Sequence, residues 1–329
     1  MKSHNIPAAG MRSPIRTVLV MHDRAQSLAA DLEPRSPDVE FFYASDPHEI
    51  GPMLLRCNPD AVFGIKQSHF PGEPQAAAVA HPSVRWFQVG GAGYEHLTSW
   101  DAGKLVVTNC RGILAPYLAE TVMAAILHLN ANLPAYREQQ IARQWRPIAF
   151  RSLKEQTLAV VGGGALGSMV AANAKALGMR VLCVKRRPMP VSGADEVYPI
   201  SALDDVLAQS DVVSLHVPLT GDTRRLFDSR RLRAMKRGAV FVNTSRGSVV
   251  DEGALIEALG DGHLRAAYLD VFETEPLPPE SPLWTMPNVL ITPHASDNVV
   301  GWETLFAKRF SENLARWNRG DELIGEINP

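Results

Sequence analysis

The apolar positions of this chain fall into short runs rich in Val, Phe and Ile: Val18–Met21, Phe41–Tyr43, Ala61–Ile65, Val84–Val89 and Leu105–Thr108. Runs of this length suit strands buried on both faces, and the stretches between them carry helical spacing. The pattern predicts a first parallel α/β unit. Leu114–Leu133 then places Ala, Leu and Met at helical intervals with few charges, which predicts a long helix buried between two domains. A second series of strands follows at Leu158–Val161, Val181–Val184, Val212–His216, Ala239–Asn243, Ala267–Val271 and Val289–Thr292. Helical segments such as Ala165–Leu177, Leu203–Ala208 and Gly253–Leu259 separate them, the layout of a doubly wound parallel sheet. A last amphipathic segment, Trp302–Asn318, is expected to pack back on a domain.

The chain has 329 residues, more than one hydrophobic core commonly organises, so two domains are expected. Its composition, 46% hydrophobic and 21% charged, is that of a folded water-soluble protein. A formal charge of -2 provides no basic field for nucleic acid, and no apolar run reaches membrane-spanning length. Nucleic acid and membrane are therefore not expected partners. The three cysteines are too few and too scattered for a disulfide framework, and the first sixteen residues lack the apolar centre of a secretory signal. Both features predict a cytoplasmic protein.

The strand at Leu158–Val161 runs into Gly162, Gly164 and Gly167. This spacing allows a tight turn, close approach of a pyrophosphate to the backbone, and close packing of the following helix. Gly164, Ala165 and Leu166 open that helix, whose unpaired N–H groups favour phosphate. The next strand ends in Lys185, Arg186 and Arg187, where an acidic side chain would bind an adenosine ribose. Cations there pair with a 2′-phosphate, so NADP(H) is expected to be preferred and NAD(H) to remain possible.

Three further strand ends carry chemistry. Arg246, in FVNTSRGSVVDEGAL, offers the planar fork that a substrate carboxylate requires, ahead of a helix capped by Asp251 or Glu252. His294, in NVLITPHAS, can give a proton to a developing alkoxide or take one from a hydroxyl. Glu275 can bind the other imidazole nitrogen and favour the charged form, but Glu273 offers the same chemistry two residues away. Asp270 could bind a nicotinamide carboxamide or act as a turn acceptor. The histidines lack a short metal-ligand spacing, and no metal is expected. Together the residues suggest hydride transfer on a 2-oxo or 2-hydroxy acid.

In order and spacing, VGGGALG, LHVPLTGDTRRLF, FVNTSRGSVVDEGAL, AAYLDVFETEPL and NVLITPHAS resemble the D-isomer-specific 2-hydroxyacid dehydrogenase family across nearly the whole chain. Within it, the glyoxylate/hydroxypyruvate reductases are most similar. The resemblance implies that Arg246 binds the substrate carboxylate, that Glu275 before Pro276 partners the acid/base His294, and that Asp270 lies near nicotinamide. Ala92 and Gly93, in QVGGAGYEHL, match a loop whose N–H groups hold the carboxylate; Pro218, Thr244 and Ser245 match loops lining the cofactor. It further implies two doubly wound parallel-sheet domains: a flavodoxin-like substrate domain of residues 1–112 and 296–329, into which an NAD(P)-binding Rossmann domain of residues 113–295 is inserted. The active site would lie in the cleft, and a homodimer would form through the cofactor domain.

The expected activity is NADPH-preferring reduction of glyoxylate or hydroxypyruvate to the D-2-hydroxy acid, with His294 as proton donor. Alternatives are reduction of bulkier 2-oxo acids such as phenylpyruvate, an NAD-dependent phosphoglycerate dehydrogenase, or a dinucleotide-sensing corepressor-like scaffold.

Overall fold

The computed structural model describes residues 12–67 and 70–327. Most of the segment scanned for a secretory signal, residues 1–11, lies outside that range. Along the chain, β1 (Thr17–Met21), α1 (Ala29–Leu32), β2 (Glu40–Ala44), α2 (Ile50–Cys57), β3 (Ala61–Ile65), α3 (Ala76–Val79), β4 (Trp86–Gly90) and β5 (Val106–Asn109) come first. Next are α4 (Ala115–Asn130), α5 (Leu133–Ile141), β6 (Thr157–Val161), α6 (Ala165–Ala176), β7 (Arg180–Val184), β8 (Glu196–Tyr198), α7 (Leu203–Gln209) and β9 (Val212–Leu215). The chain continues through α8 (Ser229–Ala234), β10 (Ala239–Asn243), α9 (Glu252–Gly260), β11 (Leu264–Leu269) and β12 (Val289–Ile291). It closes with α10 (Trp302–Arg319) and β13 (Glu326–Ile327).

These elements form two compact units, one of the residues up to Ile113 and from Val299 onward, the other Leu114–Asn298. The first holds a six-stranded sheet ordered β13-β5-β4-β3-β1-β2, parallel except for β13. The order from β2 to β5 is that of flavodoxin-like sheets. One face packs Leu19, Met21, Val62, Phe87, Val89 and Val107 into a core. On the alternate residues, Phe63 and Trp86 stack on Phe310 of α10 at centroid distances of 4.9 and 4.8 Å. Asn313 of α10 donates to buried Gln88, which also accepts from Thr108. Aromatic burial and this polar network together hold the C-terminal helix to its own sheet.

The second unit is a seven-stranded, wholly parallel sheet ordered β12-β11-β10-β9-β6-β7-β8. Successive residues of β6 alternate between two cores: Leu158 and Val160 pack with Val181, Val212 and Val242, while Ala159 and Val161 pack with Leu182, Val213 and Phe241. Period-two burial on both faces is the physical reason the strands read as unbroken apolar runs. After β8 the chain crosses back to place β9 on the other side of β6, so the sheet reverses its winding between those two strands. Ligands of open α/β sheets bind outside the carboxyl ends of strands at such a reversal.

Two expected elements are placed differently. The long helix of the second unit stops at Asn130, because Asn132 takes a left-handed backbone (φ 56°), which Asn tolerates better than branched residues, and α5 begins afresh. The strand before Asp270 starts at Leu264 rather than Ala267, its exposed Arg265 masking the apolar run. β8 and β13 are too short to leave a periodic signal.

Candidate active site

The turn after β6 has little room for side chains. Gly162 has φ 109°, and a Cβ there would lie 2.5 Å from the His216 carbonyl oxygen; one on Gly167 would lie 1.9 Å from the Gly162 oxygen. Glycine is required at both places, by conformation and close approach in the first and by approach alone in the second. α6 begins at Ala165 with Gly164 as its cap and no side-chain cap bond to its leading N–H groups. Its leading amides, including those of Ala165 and Leu166, remain available, at the end of a helix that favours negative charge. This backbone cradle fits a dinucleotide pyrophosphate.

Around the turn, Lys185 follows β7 with its Nζ 3.5 Å from the Gly163 oxygen, and Arg186 and Arg187 are exposed. Beyond β9, His216 bonds Ser214 Oγ through Nε2 at 2.9 Å and lies 3.5 Å from Thr244 Oγ1. Burial pushes its imidazole down to about 3, so it is neutral in ordinary conditions. The Pro218 carbonyl accepts from Thr223 Oγ1 at 2.6 Å, closing the next turn. His216, which the sequence marks only as the end of a strand, lies against both the glycine turn and Thr244.

The loop after β10 is organised by Asn243, which is buried. Its Oδ1 accepts from the Ser245 N–H at 3.0 Å and hydroxyl at 2.7 Å, and its amide donates to the Arg246 carbonyl at 3.2 Å. Arg246 Nη1 donates to the Ser245 carbonyl at 2.7 Å. A strand-ending Asn ahead of Ser is a known turn-forming pattern, and it was the available signal for this residue. At Gly247 a Cβ would lie 1.8 Å from the Phe272 carbonyl carbon, so only glycine lets the arginine loop lie against the loop after β11. Asp251, rather than Glu252, caps α9 by accepting from the Ala254 N–H.

Glu275 and His294 meet directly. Glu275 Oε2 lies 2.7 Å from His294 Nδ1, and its Oε1 accepts from the Phe272 N–H at 3.1 Å. Glu273 is 3.8 Å from Arg225 instead. The bond from Glu275 holds the His294 imidazole above its ordinary range, opposed by burial and by the Arg246 guanidinium. For Glu275, burial is the largest single influence and opposes ionisation, but the bond to His294 and its charge, the Phe272 N–H and the Arg246 guanidinium together outweigh it, and the carboxyl is held low. The pair therefore favours imidazolium and carboxylate, with Nε2 left to face a reactant.

Asp270 holds the histidine loop. Its carboxylate accepts from Thr292 Oγ1 (2.5 Å), the Ala295 N–H (2.9 Å), the Ser296 N–H (3.1 Å) and Ser296 Oγ (2.6 Å). Its carbonyl accepts from the His294 N–H at 2.9 Å. His294 itself has φ 49°, an uncommon conformation for a residue with a side chain, kept in place by these bonds on both sides. Of its two sequence readings, Asp270 has the turn acceptor's bonds.

Gly164 to Leu166, Lys185 to Arg187, Pro218, Thr244 to Arg246, Asp270, Glu275 and His294 thus all follow carboxyl ends of strands in one sheet. Ala92 and Gly93 belong to the other unit, after β4, where the Ala92 carbonyl accepts from Asn109 Nδ2 at 2.8 Å. Among the described residues, no three His, Cys, Asp or Glu side chains group to hold a metal, and no helix is long and apolar enough to cross a membrane.

Residues 123–296 match the family model for the NAD binding domain of D-isomer specific 2-hydroxyacid dehydrogenases. The chain is 36% identical to the glyoxylate reductase of Korarchaeum cryptofilum over 253 residues, 74% of this chain and 75% of that protein. Its fold is similar to a D-isomer specific 2-hydroxyacid dehydrogenase family protein from Aeromonas salmonicida, with TM-score 0.84, 33% identity and coverage of 95% and 99% of the two chains. A D-isomer specific 2-hydroxyacid dehydrogenase from Xanthobacter autotrophicus, solved in complex with NADPH and MES, gives TM-score 0.78 at 29% identity, covering 95% and 98%.

Proposed function

Because this chain belongs to the D-isomer specific 2-hydroxyacid dehydrogenase family and is an NAD(P)-dependent oxidoreductase, we propose that it reduces small 2-oxo acids, glyoxylate and hydroxypyruvate foremost, to D-2-hydroxy acids with NADPH as the preferred donor. The observation that carries this reading is the 2.7 Å bond between Glu275 and His294 beside Arg246. A bound nicotinamide dinucleotide supplies hydride in reduction and accepts it in oxidation.

The chain's own residues do the rest. Gly164, Ala165 and Leu166 hold pyrophosphate through backbone N–H groups, and Pro218, Thr244, Ser245 and Asp270 border the cofactor. Arg246 binds the substrate carboxylate through its fork of donors, which fixes the 2-oxo group in register with the imidazole. Ala92 and Gly93 offer N–H groups to the same carboxylate, a reading that rests on the QVGGAGYEHL motif. His294 gives its Nε2 proton to the oxygen as the carbonyl becomes an alkoxide, and Glu275 keeps the imidazole protonated beforehand. In oxidation the neutral imidazole takes the hydroxyl proton.

Lys185, Arg186 and Arg187 support the preference for NADP(H), since they supply cations and no carboxylate at the end of β7. A homodimer through the cofactor domain is supported by exposed apolar side chains between Leu127 and Phe150, with Trp145 98% exposed. Free Cys57, Cys110 and Cys183 are consistent with a reducing cytoplasm. Steady-state turnover of a 2-oxo acid panel with NADPH and NADH in parallel tests the whole reading: absence of turnover with every acid and both cofactors would overturn it.

A further inference from the structure

The amino ends of the strands in the first unit carry cations that the proposed reaction does not use. Arg85 directly precedes β4, Lys104 lies two residues ahead of β5, and Trp317 sits in the last turn of α10. With Arg12 and Ser13 they line a cavity of about 340 Å³. Ala92 and Gly93 follow the other end of β4, so this cavity and the loop expected to hold the substrate lie at opposite edges of one sheet.

The cations of this cavity are unequally neutralised. Arg85 commits both terminal nitrogens: Nη1 donates to the Ser13 carbonyl at 2.6 Å, and Nη2 to the Pro14 carbonyl and to Asp60, each at 2.9 Å. The Arg12 guanidinium lies 4.7 Å from the centre of the Trp317 ring, and that of Arg85 lies 5.8 Å from the same ring. Trp317 is buried, and its Nε1 donates to the Ser13 carbonyl at 3.1 Å, which fixes the ring. Arg12 Nη1 is shielded from solvent yet has no hydrogen-bond partner, and Arg12 forms no ion pair among the described residues. Lys104 is exposed, 3.6 Å from Asp101, and no residue lining the cavity is Asp or Glu. An aromatic ring attracts cations without neutralising them, and two guanidinium groups gathered at one indole repel each other. An anion in the cavity relieves that repulsion and gives Arg12 the acceptor it lacks. A phosphate carries up to two negative charges and three acceptor oxygens, so it can take bonds from the Arg12 fork and the Lys104 ammonium at once. The volume is in the range of small-molecule sites and has room for more than the phosphate alone.

We propose that this cavity is a second ligand site, for a small phosphate-bearing molecule, with Arg12 and Lys104 as its phosphate-binding groups and Arg85 contributing charge. Its ligand is neither the 2-oxo acid nor the dinucleotide, and the inference stands apart from the function proposed above.

The test is calorimetric titration of the purified full-length protein in phosphate-free buffer at constant ionic strength, with NADPH added first to fill the pyrophosphate cradle. The probes are glycerol 3-phosphate, inorganic phosphate and glycerol. Glycerol 3-phosphate should bind and glycerol should not. Equal affinity for inorganic phosphate assigns the site to the free ion, and weaker affinity assigns it to a phosphate ester; either result supports a phosphate site. Arg12→Gln and Lys104→Gln should each weaken the phosphate probes about tenfold, the loss of one charge-assisted hydrogen bond, with NADPH affinity unchanged. Should Arg12→Gln disturb the packing of Trp317 and fail to fold, Lys104→Glu, at a side chain 84% exposed, carries the same comparison with a larger loss. The site is overturned if neither phosphate probe binds the NADPH-saturated protein. It is equally overturned if they bind and none of these substitutions weakens them, which would place the phosphate at the substrate arginine instead.

Discussion

Gly247 and Phe272 touch so closely that a single methyl carbon at Gly247 would lie 1.8 Å from the Phe272 carbonyl carbon. This contact ties the loop carrying Arg246 to the loop leading to Glu275. Gly247→Ala must therefore push the two loops apart, since the obstructing atoms are backbone and cannot rotate away. The expected result is destabilisation of about 1–3 kcal/mol, in the range for overpacked sites, with kcat/KM reduced about a hundredfold through misplacement of the arginine. Thermal unfolding and steady-state kinetics check the two effects separately; unchanged activity would show that the loops need not lie this close.

His294→Ala removes the proton donor while leaving the glycine turn and α6 untouched. Reduction of 2-oxo acids should slow by about 10²–10⁴-fold, the usual contribution of a positioned acid or base. NADPH affinity, measured by direct titration, should be nearly unchanged. Turnover at the unmodified rate would remove His294 from the mechanism.

The pH dependence follows from the Glu275 bond. Since that bond raises the His294 pKa, imidazolium persists to higher pH than in a free histidine, and reductive kcat/KM should fall as pH rises through the raised value. Glu275→Gln takes away the carboxylate charge and lowers the His294 pKa. The falling limb should move toward acid, read in single-turnover hydride transfer so that product release does not obscure it. A limb that stays in place would separate the two residues functionally.

Asp270→Asn keeps the side-chain shape but places an amide where four donors now converge. Each buried donor left without its acceptor costs roughly 1–3 kcal/mol, so the histidine loop should loosen. A lowered melting temperature together with a loss of about tenfold or more in kcat is expected. Normal kcat in a destabilised protein would mean that His294 is placed by other contacts.

Replacing Arg186 and Arg187 with neutral residues should weaken NADPH much more than NADH, because only NADPH offers a phosphate for charge-assisted bonds. Calorimetric titration of both cofactors into both proteins is the appropriate measurement. Tighter NADH binding by the unmodified protein, or equal weakening of the two cofactors, would contradict phosphate recognition here.

The sequence by itself determined the longer strands of both sheets, because a strand buried on two faces is apolar at most of its positions, as Val161 and Phe241 are. It determined the glycine turn too, since Gly162 and Gly167 answer local steric demands that no other residue meets. Arg246 and His294 were legible as strand-end residues with suitable chemistry. Which carboxylate serves His294 was not legible from residue chemistry, because Glu273 and Glu275 are equivalent in composition and nearly so in position; only the family resemblance pointed to Glu275. Only the path of the loop, set by the contact of Gly247 with Phe272, directs Glu275 to the imidazole and leaves Glu273 nearer Arg225. The anchoring of His294 by Asp270 and of Ser245 and Arg246 by Asn243 likewise required the fold. The Asp270 anchor joins residues from successive strand ends whose separation in sequence carries no periodic signal, while the Asn243 bonds lie within one loop whose course is set by the packing around it. The short pairing of β13 with β5 was also decided by tertiary structure, for two residues hold too little local preference to form a strand unless a sheet edge is already there to receive them.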